Sequence, residues 1–216
     1  MTVPGGSVAT VVAVALFPVK GAGSAATTVL TLDAAGVIGD RRHAVLDADG
    51  APLTADRAPV LRTVRAALDD DGTLHVDVPG HGVGLVAAAA DAALSALLGQ
   101  PVRLASVPAG SQLDAPVHLV SRQAVDAARR GEHELADCAC SLQEPRANLV
   151  LDLAPSVGAE EAWVGGLVRV GDALLRVHRR PGHCLGIYAE VVTPGRVQVG
   201  DTLAPVRPAE SGRPSR

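Results

Sequence analysis

Aromatic residues are almost missing from this chain: it has one Phe, one Tyr and one Trp, and a single Met. Binding of nucleic acid through stacked bases needs exposed rings, so no nucleic-acid partner is expected. Long apolar runs are missing too. The run Val8–Val19 is too short for a membrane span, Pro18 and Lys20 interrupt it, and no basic segment precedes it as a secretory signal requires. No membrane association is expected. Cysteine is scarce, and three residues make no disulfide framework. A reduced, cytoplasmic setting is therefore the expectation. The net charge of −4 implies no broad basic surface. A phosphate-bearing ligand would need a few well-placed Lys or Arg instead. Walker and Rossmann glycine loops and the Gly-x-Ser-x-Gly elbow are absent as well.

What is present is small and aliphatic. Hydrophobic residues, mostly Ala, Val and Leu, make up 48% of 216 residues, enough for one large domain or two small joined ones. Short strands dominate the reading: Val8–Val19, Thr28–Leu32, His43–Asp47, Thr73–Val78, Ala147–Leu153, Leu167–Val170, Ala173–His178, Ile187–Val192 and Arg196–Val199. Turn signals punctuate them at Asp47–Gly50, Asp69–Gly72, Gly165-Gly166, Gly171-Asp172 and Pro194-Gly195. Two helices are expected. Ala87–Leu98 stops at Gly99, and Ser121–Arg130 begins on an N-capping residue and ends at Gly131. The fold class is mainly β, a barrel or sandwich with a few short helices. Residues 8–105 and 106–205 form two packed halves, and residues 1–7 and 206–216 read as loose ends.

Residues able to carry chemistry are scattered. Cys184 follows a Pro-Gly turn and has Arg179, Arg180 and His183 close in sequence, the surroundings in which reactive thiols are found. Its bland alternative is a small buried strand residue. Cys138 and Cys140, with His133, Asp137 and Glu144 nearby, lack the second ligand pair of a structural zinc motif, so a loop with incidental thiols is the expected reading. Lys20 stands at a strand end before Gly21-Ala-Gly23, where a cation and backbone N–H groups can meet a phosphate. Arg41, Arg57 and Arg146 each carry a planar fork suited to phosphate, or pair with surface carboxylates. The Glu160-Glu161 pair is a solvated or Arg-pairing feature, and His75 and His118 read as ordinary strand residues.

Taken in order, Phe17-Pro-Val-Lys20, Gly36-Val-Ile-Gly-Asp-Arg41, Asp47–Gly50 and Leu53-Thr-Ala-Asp-Arg57 resemble the N-terminal β-barrel region of MOSC-domain proteins. Arg146-Ala-Asn-Leu149, Glu160-Glu-Ala-Trp163, Val170-Gly171, Cys184 and Gly195–Asp201 resemble the MOSC domain proper. The resemblance spans roughly residues 8–205. It implies a MOSC-type β-barrel with an N-terminal β-barrel-like subdomain, holding the molybdenum cofactor (molybdopterin type) between its halves. Carried over, Lys20 and Arg41 would hold the cofactor's phosphate end, with Arg57 as a companion. Arg146 and Asn148 would contact the cofactor or fix its loop, and Ser121 at a helix N-terminus would be an anion contact. Cys184 matches the family cysteine that ligates molybdenum in the reductases or carries sulfur in the sulfurases.

Two activities follow from the resemblance. One is an oxidoreductase reducing N-hydroxylated or related small substrates. The other is a non-catalytic carrier of cofactor or sulfur to a partner molybdoenzyme. A barrel that keeps the fold without the cofactor is the third reading. The family's sulfurases couple this domain to a pyridoxal-phosphate domain, and some relatives to an iron–sulfur domain. Neither is expected within this chain, so an external electron-transfer protein or molybdoenzyme partner is. Gly21, Arg42, Pro145 and His183 stand where the reductases commonly carry Ser or Cys, an aromatic, an aromatic and Arg. Those departures weigh against the reductase, and the altered flank of Cys184, with no partner domain expected in this chain, motivates the carrier.

Overall fold

The computed structural model describes residues 7–107, 115–132, 145–182 and 184–206. Cys138 and Cys140, their polar neighbours His133, Asp137 and Glu144, His183 and most of both termini lie outside the described residues. The elements in chain order are β1 (Ala9–Leu16), β2 (Gly23–Thr27), β3 (Val29–Asp33), β4 (Gly36–Val37), β5 (His43–Leu46), β6 (Arg65–Leu68), β7 (Leu74–Val78), β8 (Gly82–Leu85), α1 (Ala87–Leu98), β9 (Arg103–Ser106), β10 (Val117–Ser121), α2 (Arg122–Arg129), β11 (Leu149–Leu153), β12 (Leu167–Val170), β13 (Ala173–Arg179), β14 (Ile187–Thr193), β15 (Gly195–Gln198) and β16 (Thr202–Val206). Two 3-10 turns, Pro59–Thr63 and Glu160–Trp163, join them.

Seven strands close a barrel in the order β11-β10-β14-β13-β12-β16-β1, with β1 pairing back onto β11. Six of the seven come from the second half of the sequence, and β1 from the first completes the ring. Alternation explains which side chains go inside. Along β13 Ala173, Leu175 and Val177 are buried, whereas Arg176 and His178 face solvent. Val11, Leu119, Leu149, Leu151, Val168, Val170, Ile187 and Leu203 fill the interior with them. These aliphatic residues suit a barrel this narrow, which leaves no room for a channel. The register of β1 against β11 shifts between Val11 and Ala13, a bulge of the kind that lets a short strand bend around a closed ring.

The first half builds a wing on this barrel. β2 continues from β1, and β6, β7 and β8 follow it outward. α1 covers the wing with Ala90, Ala93 and Leu94, which pack with Val19, Leu61, Val64, Val76 and Val102 in a second apolar core. Helix α1 ends where Gly99 turns left-handed, at φ 65°. Strand β5 pairs with β9, and β15 leaves the barrel to pair with β3 instead of forming a hairpin with β14. Pro194-Gly195 is thus a corner between sheets. Helix α2 starts at Ser121, whose hydroxyl accepts the Ala124 N–H at 3.0 Å.

Candidate functional site

Where the barrel meets the wing, the chain leaves a cavity of about 520 Å³, within the usual size of small-molecule sites. Ala15 and Phe17 come from the end of β1, Lys20 and Gly21 from the loop after it, and Gly23 and Ser24 from β2. Thr54–Asp56, Arg62 and Arg65 come from the wing. His118, Pro145–Ala147, Val150, Cys184 and Leu185 come from the barrel. Sequence segments far apart therefore meet here because β1 serves both the barrel and the wing.

The structure brings Lys20, Arg146 and Cys184 onto this one cavity, all three half-buried. Two of the basic neighbours of Cys184 in sequence, Arg179 and Arg180, have partners elsewhere. Arg180 lies 3.6 Å from Glu161, and the Arg179 guanidinium stacks over Tyr188 at 5.8 Å. Arg146 feels the charge of Cys184 electrostatically. Burial and the positive charges of Arg41 and Arg62 lower the pKa of Arg146, while Cys184 and Asp56 oppose the shift. Gly186 holds the cysteine segment close to the barrel. Its φ is 88°, and a Cβ there would overlap the Leu119 carbonyl oxygen.

Arg41 and Asn148 sit behind the cavity wall and are not among its lining residues. Arg41 forms a buried ion pair with Asp40, donates from Nη2 to the Arg146 carbonyl at 2.8 Å, and lies over Phe17 at 5.0 Å. Asp40 Oδ1 also accepts the Phe17 N–H at 2.9 Å and Asn148 Nδ2 at 3.1 Å. Asn148 donates to the Ala15 carbonyl at 3.2 Å and accepts the His118 N–H at 3.1 Å. This knot ties the end of β1, the Asp40-Arg41 turn and the Arg146–Asn148 segment together. It aims the Arg146 main chain, so these two residues reach the cavity through Arg146 and Phe17. Arg57 is exposed and off the cavity, although Thr54, Ala55 and Asp56 line it. Ser121 belongs to a separate cavity of about 510 Å³ lined also by Glu160 and Glu161, where its own N–H donates to Glu160 Oε1 at 2.9 Å.

Three cavity residues escaped the reading of the sequence. Arg62 and Arg65 follow no motif, and the 3-10 turn and the β2–β6 pairing place them at the cavity. His118 is buried, and its Nε2 meets the Leu185 carbonyl at 2.7 Å. Its pKa falls to about 4, chiefly through burial; the Leu185 carbonyl opposes this and the Arg41 charge adds to it. The ring is then neutral at pH 7, and the Leu185 carbonyl that Nε2 meets places the proton on that nitrogen.

Residues 8–115 match the family model of the MOSC N-terminal β-barrel domain. The chain belongs to the MOSC family. No curated protein matches it. Among solved structures, a crystal structure described as that of a hypothetical protein matches at 21% identity and a TM-score of 0.33, over 45% of this chain and 53% of that one. This chain thus spans about half the length of that structure. The YUAD protein from Bacillus subtilis matches at 11% identity and a TM-score of 0.47, over 93% of this chain and 97% of that one. The MOSC family is associated with the molybdenum cofactor, and the residues around the cavity can be tested against that group. Among the described residues no three His, Cys, Asp or Glu side chains gather as metal ligands. Among the described residues of the cavity lining, Cys184 is the one soft ligand, and four cations stand beside one carboxylate, Asp56. That set fits an anion whose soft metal arrives with ligands of its own. Among the described residues no helix is long and apolar enough to cross a membrane.

Proposed function

We propose that this MOSC protein binds the molybdenum–pterin cofactor in the cavity between barrel and wing and acts as an oxidoreductase on small N-hydroxylated or related substrates. The observation that carries the reading is the meeting of Cys184 with Lys20 and Arg146 on one cavity of about 520 Å³. Cys184 would ligate the metal through its thiolate. Lys20 and Arg146 would hold the phosphate end, Lys20 as a point charge and Arg146 through its fork. Arg41 and Asn148 act as positioning residues, because the buried knot fixes the main chain that carries Arg146. Arg57 and Ser121 have weaker claims, since neither lines this cavity. The bound cofactor would supply two-electron redox chemistry, and the chain's part is to bind it, orient it and limit water at the thiol. Phe17, Ala147, Val150 and Leu185 give the cavity its apolar walls. Electrons would come from an external protein.

The chain made in a host that synthesises the cofactor should retain molybdenum and pterin after gentle purification, and should reduce an N-hydroxylated amidine when given a chemical reductant. Protein free of both molybdenum and pterin would overturn the reading. The second reading, a carrier delivering cofactor or sulfur to a molybdoenzyme, is favoured by the half-exposed position of Cys184. Transfer of cofactor to an apo-molybdoenzyme without turnover, or a persulfide on Cys184 by mass spectrometry, would select it.

A further inference from the structure

The wing side of the cavity carries an arrangement that the proposed cofactor contacts leave unused. Arg65 on β6 pairs with Gly23 on the parallel neighbour β2. Its Nη1 donates to the Arg62 carbonyl at 2.8 Å, and its guanidinium lies over the bare Cα of Gly23. A Cβ at Gly23 would fall on Nη1 and come within 3.0 Å of Cζ. The glycine thus makes room for the fork, and the Arg62 carbonyl sets its orientation. Among the described residues, that bond engages one of the guanidinium's five donors. Arg62 itself faces Asp56 at 3.6 Å, a pair whose carboxylate is 72% exposed and therefore well solvated. Both arginines line the cavity, and Arg65 is exposed at its edge.

We propose that Arg62 and Arg65, with Gly23 as the seat of the Arg65 fork, form a second phosphate-binding station at the mouth of the cavity, apart from Lys20 and Arg146. The ligand of this cavity would then carry oxyanion charge at two places. The inference builds on the reading of the cavity as the seat of a phosphate-bearing cofactor. Two sources fit the same chemistry: a second phosphate on the cofactor, or a phosphate on the substrate.

The test is calorimetric titration of the purified full chain with inorganic pyrophosphate at low ionic strength. Arg65→Gln should weaken binding about ten-fold, the loss of one charge-assisted contact. Gly23→Ala keeps every charge yet displaces the fork, and should weaken binding by a similar factor. Arg103→Gln, an exposed arginine on β9 away from the cavity, should bind as the wild type does. Thermal melts establish that each variant is folded, and Arg65→Gln stands alone should Gly23→Ala fail to fold. Equal weakening by Arg103→Gln, or wild-type binding by Arg65→Gln, would overturn the station. Loss of pyrophosphate binding once cofactor is loaded assigns the station to the cofactor, and retained binding assigns it to substrate. Failure here is separable from failure of the proposed function. Molybdenum and pterin retained equally by wild type and Arg65→Gln, without pyrophosphate binding, removes the station alone. Pyrophosphate binding through Arg65 without any cofactor removes the oxidoreductase alone.

Discussion

His118 makes stability depend on pH in a direction that can be worked out. Its pKa is about 4 in the folded chain against 6.5 in the unfolded one. Between those values the unfolded state binds the extra proton, so stability rises with pH across that window. Read downward, the contribution is fully present above pH 6.5 and is lost as pH falls towards 4. A gap of this size corresponds to roughly 3 kcal/mol. His118→Gln removes the titration, and its side-chain amide can still donate to the Leu185 carbonyl. Urea unfolding at pH 7.0 and pH 4.5 is the assay, with wild type and variant side by side. The variant should be the less stable at pH 7, and the difference should shrink by roughly 2–3 kcal/mol at pH 4.5. His43, which burial also shifts down, and His75, which Asp69 shifts up, are common to both proteins and cancel. A difference that stays constant between the two pH values would refute the account of His118 as a buried neutral ring.

The knot behind the cavity should be costly to break. Asp40→Ala leaves Arg41 buried without its anion and should destabilise by about 3–5 kcal/mol in denaturant unfolding. Asn148→Ala removes two donated bonds and one accepted bond and should cost about 2–4 kcal/mol by the same measurement. Gly186→Ala places a Cβ on the Leu119 carbonyl at a left-handed φ and should lose at least about 2 kcal/mol of stability or fail to yield soluble protein. Gly182→Ala, where a Cβ meets nothing within 4 Å, should change stability by less than about 0.5 kcal/mol.

The long alternating strands and both helices were legible in the sequence, because period and capping are local. Ala87–Leu98 ran to its glycine stop, and β13 showed its buried and exposed sides. Strands β2, β6, β8 and β9 were not legible. Their Gly, Ala, Ser and Arg residues carry little β preference and owe their pairing to neighbours brought in from elsewhere. The barrel's closure was hidden for a related reason, since β1 and β11 lie far apart in sequence. Within the site, Lys20, Arg146 and Cys184 stood out by motif, and the fold gathers them. Arg41 and Asn148 also stood out, yet their side chains turn into the knot, because burying a charge beside Asp40 is a tertiary event that no local pattern encodes. Arg62, Arg65 and His118 gave no signal: an arginine in a turn and a histidine in a strand look alike whether they face a cavity or solvent.

The proposed role of Cys184 as a molybdenum ligand, in the cavity it shares with Lys20 and Arg146, can be read at the metal itself. Molybdenum K-edge X-ray absorption on chain purified from a cofactor-synthesising host tests it most directly, with Cys184→Ser measured beside wild type. Wild-type protein should contain molybdenum, with one sulfur neighbour fewer in the variant. Wild-type protein without molybdenum, or an unchanged sulfur shell in the variant, would contradict it.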